Sequence, residues 1–181
     1  HIIVKGARPV TVTVPMSRWG PVRVLADGTY VAIRWVGHHA DAVNFVRLIE
    51  LESVITVDQA LAVGQRAEIP AQNMVVADDQ GKIGWTLAGR IPQRGAFLQP
   101  WVDWRNADQS WQGWLGSDEV PRLIEPTSGR VWTANNRLLV EAEADSLGDG
   151  GYVLGARAHQ IRSGLMSQNS FSEPDMLRIQ L

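Results

Sequence analysis

Two adjacent side-chain amides, Asn135 and Asn136, follow a β-prone run of Val131, Trp132 and Thr133. A carboxamide NH2 at a strand end is a fixed, neutral donor that does not titrate. Aimed at an oxygen on which negative charge develops, it lowers the barrier to acyl transfer. The same pair suits a turn, because asparagine tolerates positive φ better than most residues. The local sequence leaves both roles open.

Other chemistries find less support. His38 and His39 are neighbours, and adjacent residues on a strand point to opposite faces, a poor chelate. Neither these nor His159 is flanked by cysteines or a carboxylate triad, so no zinc site is expected. No Gly-x-Ser-x-Gly elbow and no glycine-rich phosphate loop occurs.

The bulk numbers narrow the class. With 45% hydrophobic and 20% charged residues, the 181-residue chain has the composition of one globular domain with a substantial core. A net charge of −2 suggests neither nucleic acid nor an anionic membrane as partner. No apolar run is long enough to span a membrane. Cysteine is absent, which excludes disulfides and thiolate sites. Eight Trp against two Tyr suggest a packed sheet interface or a shaped pocket.

The elements that must position the amides are read from periodicity. Residues 8–14 alternate apolar and polar, which predicts a half-buried strand. Residues 22–25 and 30–36 flank a turn at Ala26-Asp27-Gly28-Thr29 and predict a hairpin. Residues 42–51 predict a short helix that buries Val43, Val46 and Leu48 or Ile49. A second helix is expected over 56–63, capped by Thr56 with Gln59 three positions on. Residues 72–76 and 82–87 predict another hairpin around Asp78-Asp79-Gln80-Gly81. Residues 89–130, with Pro92, Pro100, Pro121 and Pro126, show little period and read as a long surface segment anchored by Trp101, Trp104, Trp111 and Trp114. Residues 131–133 predict a strand, 141–149 an exposed acidic stretch, 152–166 a helix with Leu154, Ala158, Ile161 and Leu165 on one face, and 173–181 another helical stretch.

Three segments in fixed order carry a resemblance that covers nearly the whole chain. The first is Ile69-Pro70-Ala71-Gln72-Asn73-Met74 through Asp78, with Gly81-Lys82-Ile83-Gly84 and Gly89-Arg90-Ile91-Pro92. The second is Trp111-Gln112-Gly113-Trp114, with Pro126-Thr127-Ser128-Gly129. The third is Trp132-Thr133-Ala134-Asn135-Asn136-Arg137, with Arg157-Ala158-His159-Gln160-Ile161-Arg162. Together they resemble the penicillin-acylase family of amidohydrolases, whose members use an N-terminal nucleophile.

The resemblance implies an α+β fold: a fragment of an αββα sandwich, mainly antiparallel strands with a few helices. It implies that residues 1–181 form one domain, an internal portion of a penicillin-acylase-type β-subunit that begins after the nucleophile. Asn135 would be the oxyanion donor and Arg157, twenty-two positions on, the supporting cation, while Asn136 holds the turn. Gln72 and Phe45 fall near acyl-pocket positions. The substrate would be a small N-acyl compound, a β-lactam antibiotic or an acyl-homoserine lactone, cleaved at a linear amide by a Ser not present in this chain. Calcium occurs in some members near positions matching Pro100 and Asp145, but Ser146 stands where a carboxylate would be expected, so no metal or other cofactor is expected in this chain. Expected partners are the remaining α- and β-subunit segments, with self-association of the chain on its own, and the expected location is periplasmic or secreted. The alternative from another class is a non-catalytic, β-rich binding or scaffold module that keeps the fold.

Overall fold

The computed structural model describes residues 1–95, 101–109, 111–139, 147 and 152–181. The pieces expected at Pro100, at Asp145 and Ser146, and in most of the acidic stretch 141–149 lie outside the described residues. The described chain is α+β. It has two antiparallel three-stranded sheets, three α-helices and several 3-10 turns.

The first sheet runs β1 (Met16–Ser17), β2 (Gly20–Val24) and β3 (Tyr30–Ala32). Its β2–β3 hairpin pairs Val22 with Ala32 and Val24 with Tyr30, as the turn residues require. Thr29 N–H donates to the Asp27 carboxylate at 2.9 Å, an Asx-type closure of that turn. Strand β3 ends at Ala32, short of the expected residue 36, and a 3-10 turn follows at Val36–His38.

The second sheet holds the core. It is ordered β4 (Gln72–Ala77), β5 (Ile83–Ala88) and β6 (Arg122–Ile124), with β5 central. Asp78 closes the β4–β5 turn: its carboxylate accepts from the backbone N–H groups of Gln80 and Lys82. The two faces of β5 do different work, because successive side chains alternate. Gly84, Thr86 and Ala88 face helix α1 (Val57–Gln65), which lays Val57 and Leu61 on the sheet. A Cβ on Gly84 would stand 2.7 Å from Val57 Cγ1, so glycine there is what lets helix and strand approach. Thr86, 0% exposed, donates its hydroxyl to the Pro121 carbonyl at 2.8 Å. Trp85 occupies the opposite face, and its indole N–H donates to the Asn73 Oδ1 at 2.8 Å.

Helix α1 has the expected Thr56 cap, but the Gln59 side chain reaches one residue further back than a capping box requires. The Thr56 hydroxyl accepts from the Gln59 N–H, and the Gln59 side chain accepts from the Ile55 N–H at 3.0 Å. Two further helices, α2 (Ala156–Leu165) and α3 (Glu173–Gln180), pack on each other, and Ser172 with Asp175 forms a capping box for α3.

Four expectations are corrected. Residues 8–14 form no strand: Val10 makes one isolated bridge to Ile2, and Val12 and Val14 are exposed with no partner strand to hold them. The expected helix at 42–51 is a series of 3-10 turns, Ala40–Ala42 and Phe45–Ser53, that leaves Val43, Val46 and Ile49 exposed; only Leu48 is half-buried. Residues 131–133 form no strand. Helix α2 begins at Ala156 rather than near 152, because no hydrogen-bonded turn precedes Gly155, and Leu154 stays exposed. Ala158 and Leu165 are buried as expected, with Ile161 half-buried.

Candidate functional site

The apolar face of the second sheet opens onto a cavity of about 620 Å³, the size of a small-molecule site. Asn73, Trp85 and Leu87 form its sheet wall. The chain leaving β5 adds Arg90, Ile91, Pro92 and Arg94. Gln72 lines it from the start of β4, and Asn135 and Asn136 from the segment before α2. Four positions thus meet that lie far apart in sequence: the hairpin, the proline-rich segment, the Asn pair and the tail after it.

Asn135 takes the left-handed conformation, φ 61°, which few residues other than glycine and asparagine adopt readily. Asn136 brackets the turn as expected. Its Oδ1 accepts from the Ala134 N–H at 3.2 Å, and its Nδ2 donates to the Arg137 carbonyl at 3.0 Å. Asn135 therefore makes the turn with its backbone and lines the cavity as well.

Arg157 stands in the first turn of α2 and reaches back to this corner. Its Nη2 donates to the Ala134 carbonyl at 2.9 Å and to the Asn135 Oδ1 at 3.1 Å. A guanidinium has no acceptor, so it can hold only the oxygen end of the amide. The Nδ2 end is thereby turned away from Arg157, and nothing among the described residues accepts from it. The Val153 N–H to Asn135 carbonyl bond, 2.9 Å, closes the same corner from the other side. The sheet, the turn and the helix together hold one neutral donor at the edge of a cavity that has the polar and apolar walls a small organic substrate needs.

Phe45 does not join this group. It is 64% exposed on the 3-10 segment Phe45–Ser53 and does not line the cavity. His38 and His39 are taken by aromatic packing: His39 lies 4.7 Å from Trp111 and 5.7 Å from Trp114, and His38 meets Trp35 edge-on. Among the described residues no group of three His, Asp or Glu side chains converges to hold a metal ion, and no helix is long and apolar enough to cross a membrane.

Sequence reading missed the cationic wall. Arg34, Arg90 and Arg94 all line the cavity. Arg34 lies over Trp111 at 4.5 Å and donates to the Ala107 carbonyl, and Arg90 pairs with Glu68 at 2.9 Å. Their type was visible; their convergence depends on β5 delivering residues 90–94 beside a loop from the first sheet, which no local period encodes.

A sequence model of the penicillin amidase family matches residues 1–181. The chain is 27% identical over 185 residues to penicillin acylase 2 proenzyme of Pseudomonas sp. strain SE83, covering 99% of this chain and 23% of that protein. It is 26% identical over 193 residues to the acyl-homoserine lactone acylase QuiP of Pseudomonas aeruginosa, covering 98% of this chain and 22% of that protein. The chain thus spans about a quarter of the length of these relatives. The fold is similar to that of a thermostable penicillin G acylase from Alcaligenes faecalis, with a TM-score of 0.68 at 21% identity over 98% of this chain and 32% of that one. A family match over the whole chain, on a fold shared with a solved acylase, makes this chain a member of the penicillin amidase family.

Proposed function

We propose that this chain is an internal portion of the β-subunit of an amidohydrolase that cleaves the linear amide of small N-acyl substrates. The substrate classes are those in the relatives' names, penicillins and acyl-homoserine lactones. The single observation that carries the reading is the grip of Arg157 on the Asn135 oxygen, which fixes an amide donor at the cavity edge.

In this reading the nucleophile is an N-terminal Ser supplied from outside these residues, with its own α-amine as base. Its hydroxyl adds to the amide carbon, and the carbonyl oxygen becomes an oxyanion. Asn135 Nδ2 donates to that oxygen, where charge develops. Collapse expels the amine, and water later releases the acyl group. Arg157 acts through Asn135 as a positioning residue. Asn73 offers a hydrogen bond to the acyl portion beside Trp85, and Gln72 borders the cavity at the start of β4. Other α- and β-subunit segments complete the enzyme, and they would cover exposed apolar residues such as Trp101 and Trp104.

Hydrolysis of a chromogenic N-acyl anilide by the complete enzyme tests the proposal. The expected result is turnover that Asn135→Ala reduces about 100- to 1,000-fold. Turnover indifferent to that substitution would leave Asn135 a turn residue. A complete protein with no amide hydrolysis at all would favour the non-catalytic binding module.

A further inference from the structure

Among the described residues the charges around the cavity do not balance. Its described lining holds three arginines and no Asp or Glu. Two of the three are engaged: Arg90 by Glu68, which also takes Arg47 at 3.4 Å, and Arg34 by the Trp111 ring and the Ala107 carbonyl. Arg94 differs. Among the described residues it has neither a hydrogen bond nor an ion pair, and it lines the same cavity as the Asn135 amide. A guanidinium presents a planar fork that matches a carboxylate. Trp85, Leu87 and Ile91 give the same cavity apolar walls against which the carbon chain of such a ligand can lie.

We propose that Arg94 is a specificity-determining residue of this cavity: it takes a carboxylate carried by the substrate, so anionic N-acyl substrates are preferred over neutral ones. The proposal rests on the amidohydrolase reading for the word substrate, but not for the anion site itself.

Trp85 and Trp111 line the cavity and report its occupancy by their emission. The protein is titrated with adipate, with its neutral diamide, and with inorganic phosphate. Adipate should bind at least about tenfold more tightly than the diamide, the low end of what a hydrogen bond to a charged group contributes. Arg94→Gln should abolish the difference, and Arg94→Lys should keep part of it, as a charge without the fork. Arg94 is exposed, so neither variant should disturb folding. Equal binding of adipate and diamide, no binding of either, phosphate held as well as adipate, or an unchanged preference in Arg94→Gln would each overturn the proposal. Hydrolysis of matched anilides with and without a terminal carboxylate separates the two readings. Equal hydrolysis of both overturns the anion preference alone. Absence of hydrolysis with adipate discrimination intact overturns the amidohydrolase reading and leaves the anion site standing.

Discussion

Arg157 holds Asn135 by its oxygen, 3.1 Å from Nη2 to Oδ1, while the same nitrogen takes the Ala134 carbonyl at 2.9 Å. One guanidinium nitrogen therefore fixes both the backbone before the turn and the rotation of the amide on it. A free carboxamide can flip and present either end. Here only the NH2 end is left to donate, and that orientation is built into the fold. Preorganisation of that kind is what makes a neutral donor effective against developing charge.

Asn135 carries two roles, and two substitutions separate them. Asn135→Gly removes the amide but suits the φ of 61°, whereas Asn135→Ala removes the amide and strains the backbone, by roughly 1 kcal/mol for a non-glycine residue held left-handed. In the complete enzyme both variants should lose about 100- to 1,000-fold in kcat with little change in KM. Only the alanine variant should also lower the denaturation midpoint. Activity retained by the glycine variant would show that the turn alone matters.

Arg157 is predicted to act through Asn135 rather than independently. Arg157→Gln should lower kcat by about tenfold or more. The double variant with Asn135→Ala should be no worse than Asn135→Ala alone, because the positioning residue has nothing left to position. Additive losses in such a cycle would assign Arg157 a contact of its own with the reacting groups.

The readable parts of the fold were those decided locally. Asp27-Gly28 and Asp78 to Gly81 make turns by their own side chains and backbone, so both hairpins followed from sequence. Thr56 and Gln59 likewise announce α1. Failures came where alternation lacked a partner. Residues 8–14 have the period of a strand, yet a strand exists only when another pairs with it, and Val10 finds only a single bridge to Ile2. Val43, Val46 and Ile49 have helical spacing, but nothing among the described residues covers them. Asn135 and Gln72 were named through resemblance, and the fold brings both to one cavity. The arginine wall was not legible, because Arg34 and Arg94 become neighbours of one cavity only after the sheets form.

Two threonines should respond oppositely to the same swap. Thr86 is fully buried and donates to the Pro121 carbonyl at 2.8 Å, linking β5 to the entry of β6. Thr86→Val keeps the shape but leaves that carbonyl without its donor, which should cost about 1–3 kcal/mol in urea denaturation. The Thr133 hydroxyl is buried with no partner among the described residues. Thr133→Val removes an unsatisfied polar atom and should be neutral or stabilising by up to about 1 kcal/mol. If Thr133→Val destabilises as much as Thr86→Val, the hydroxyl has a partner in the intact protein.

Acid should weaken the protein through Glu68. The hydrogen bond from Arg90 holds the Glu68 carboxyl below its ordinary 4.5, with Arg47 adding to it, against a smaller opposing effect of burial. Because the folded value lies below the unfolded one, the stabilisation is complete above the unfolded pKa. It is lost as pH falls through the folded value. The wild-type melting temperature should therefore decline on acidification below about pH 4.5, the ordinary value of the group. Glu68→Gln should start lower at neutral pH and show a shallower acid decline, since glutamine has no carboxylate to protonate. Its release of Arg90 also adds a second unpaired cation to the cavity wall, so the same variant should bind adipate more tightly than wild type at neutral pH. A Glu68→Gln protein with an unchanged acid limb would show that the pair with Arg90 contributes nothing to folding.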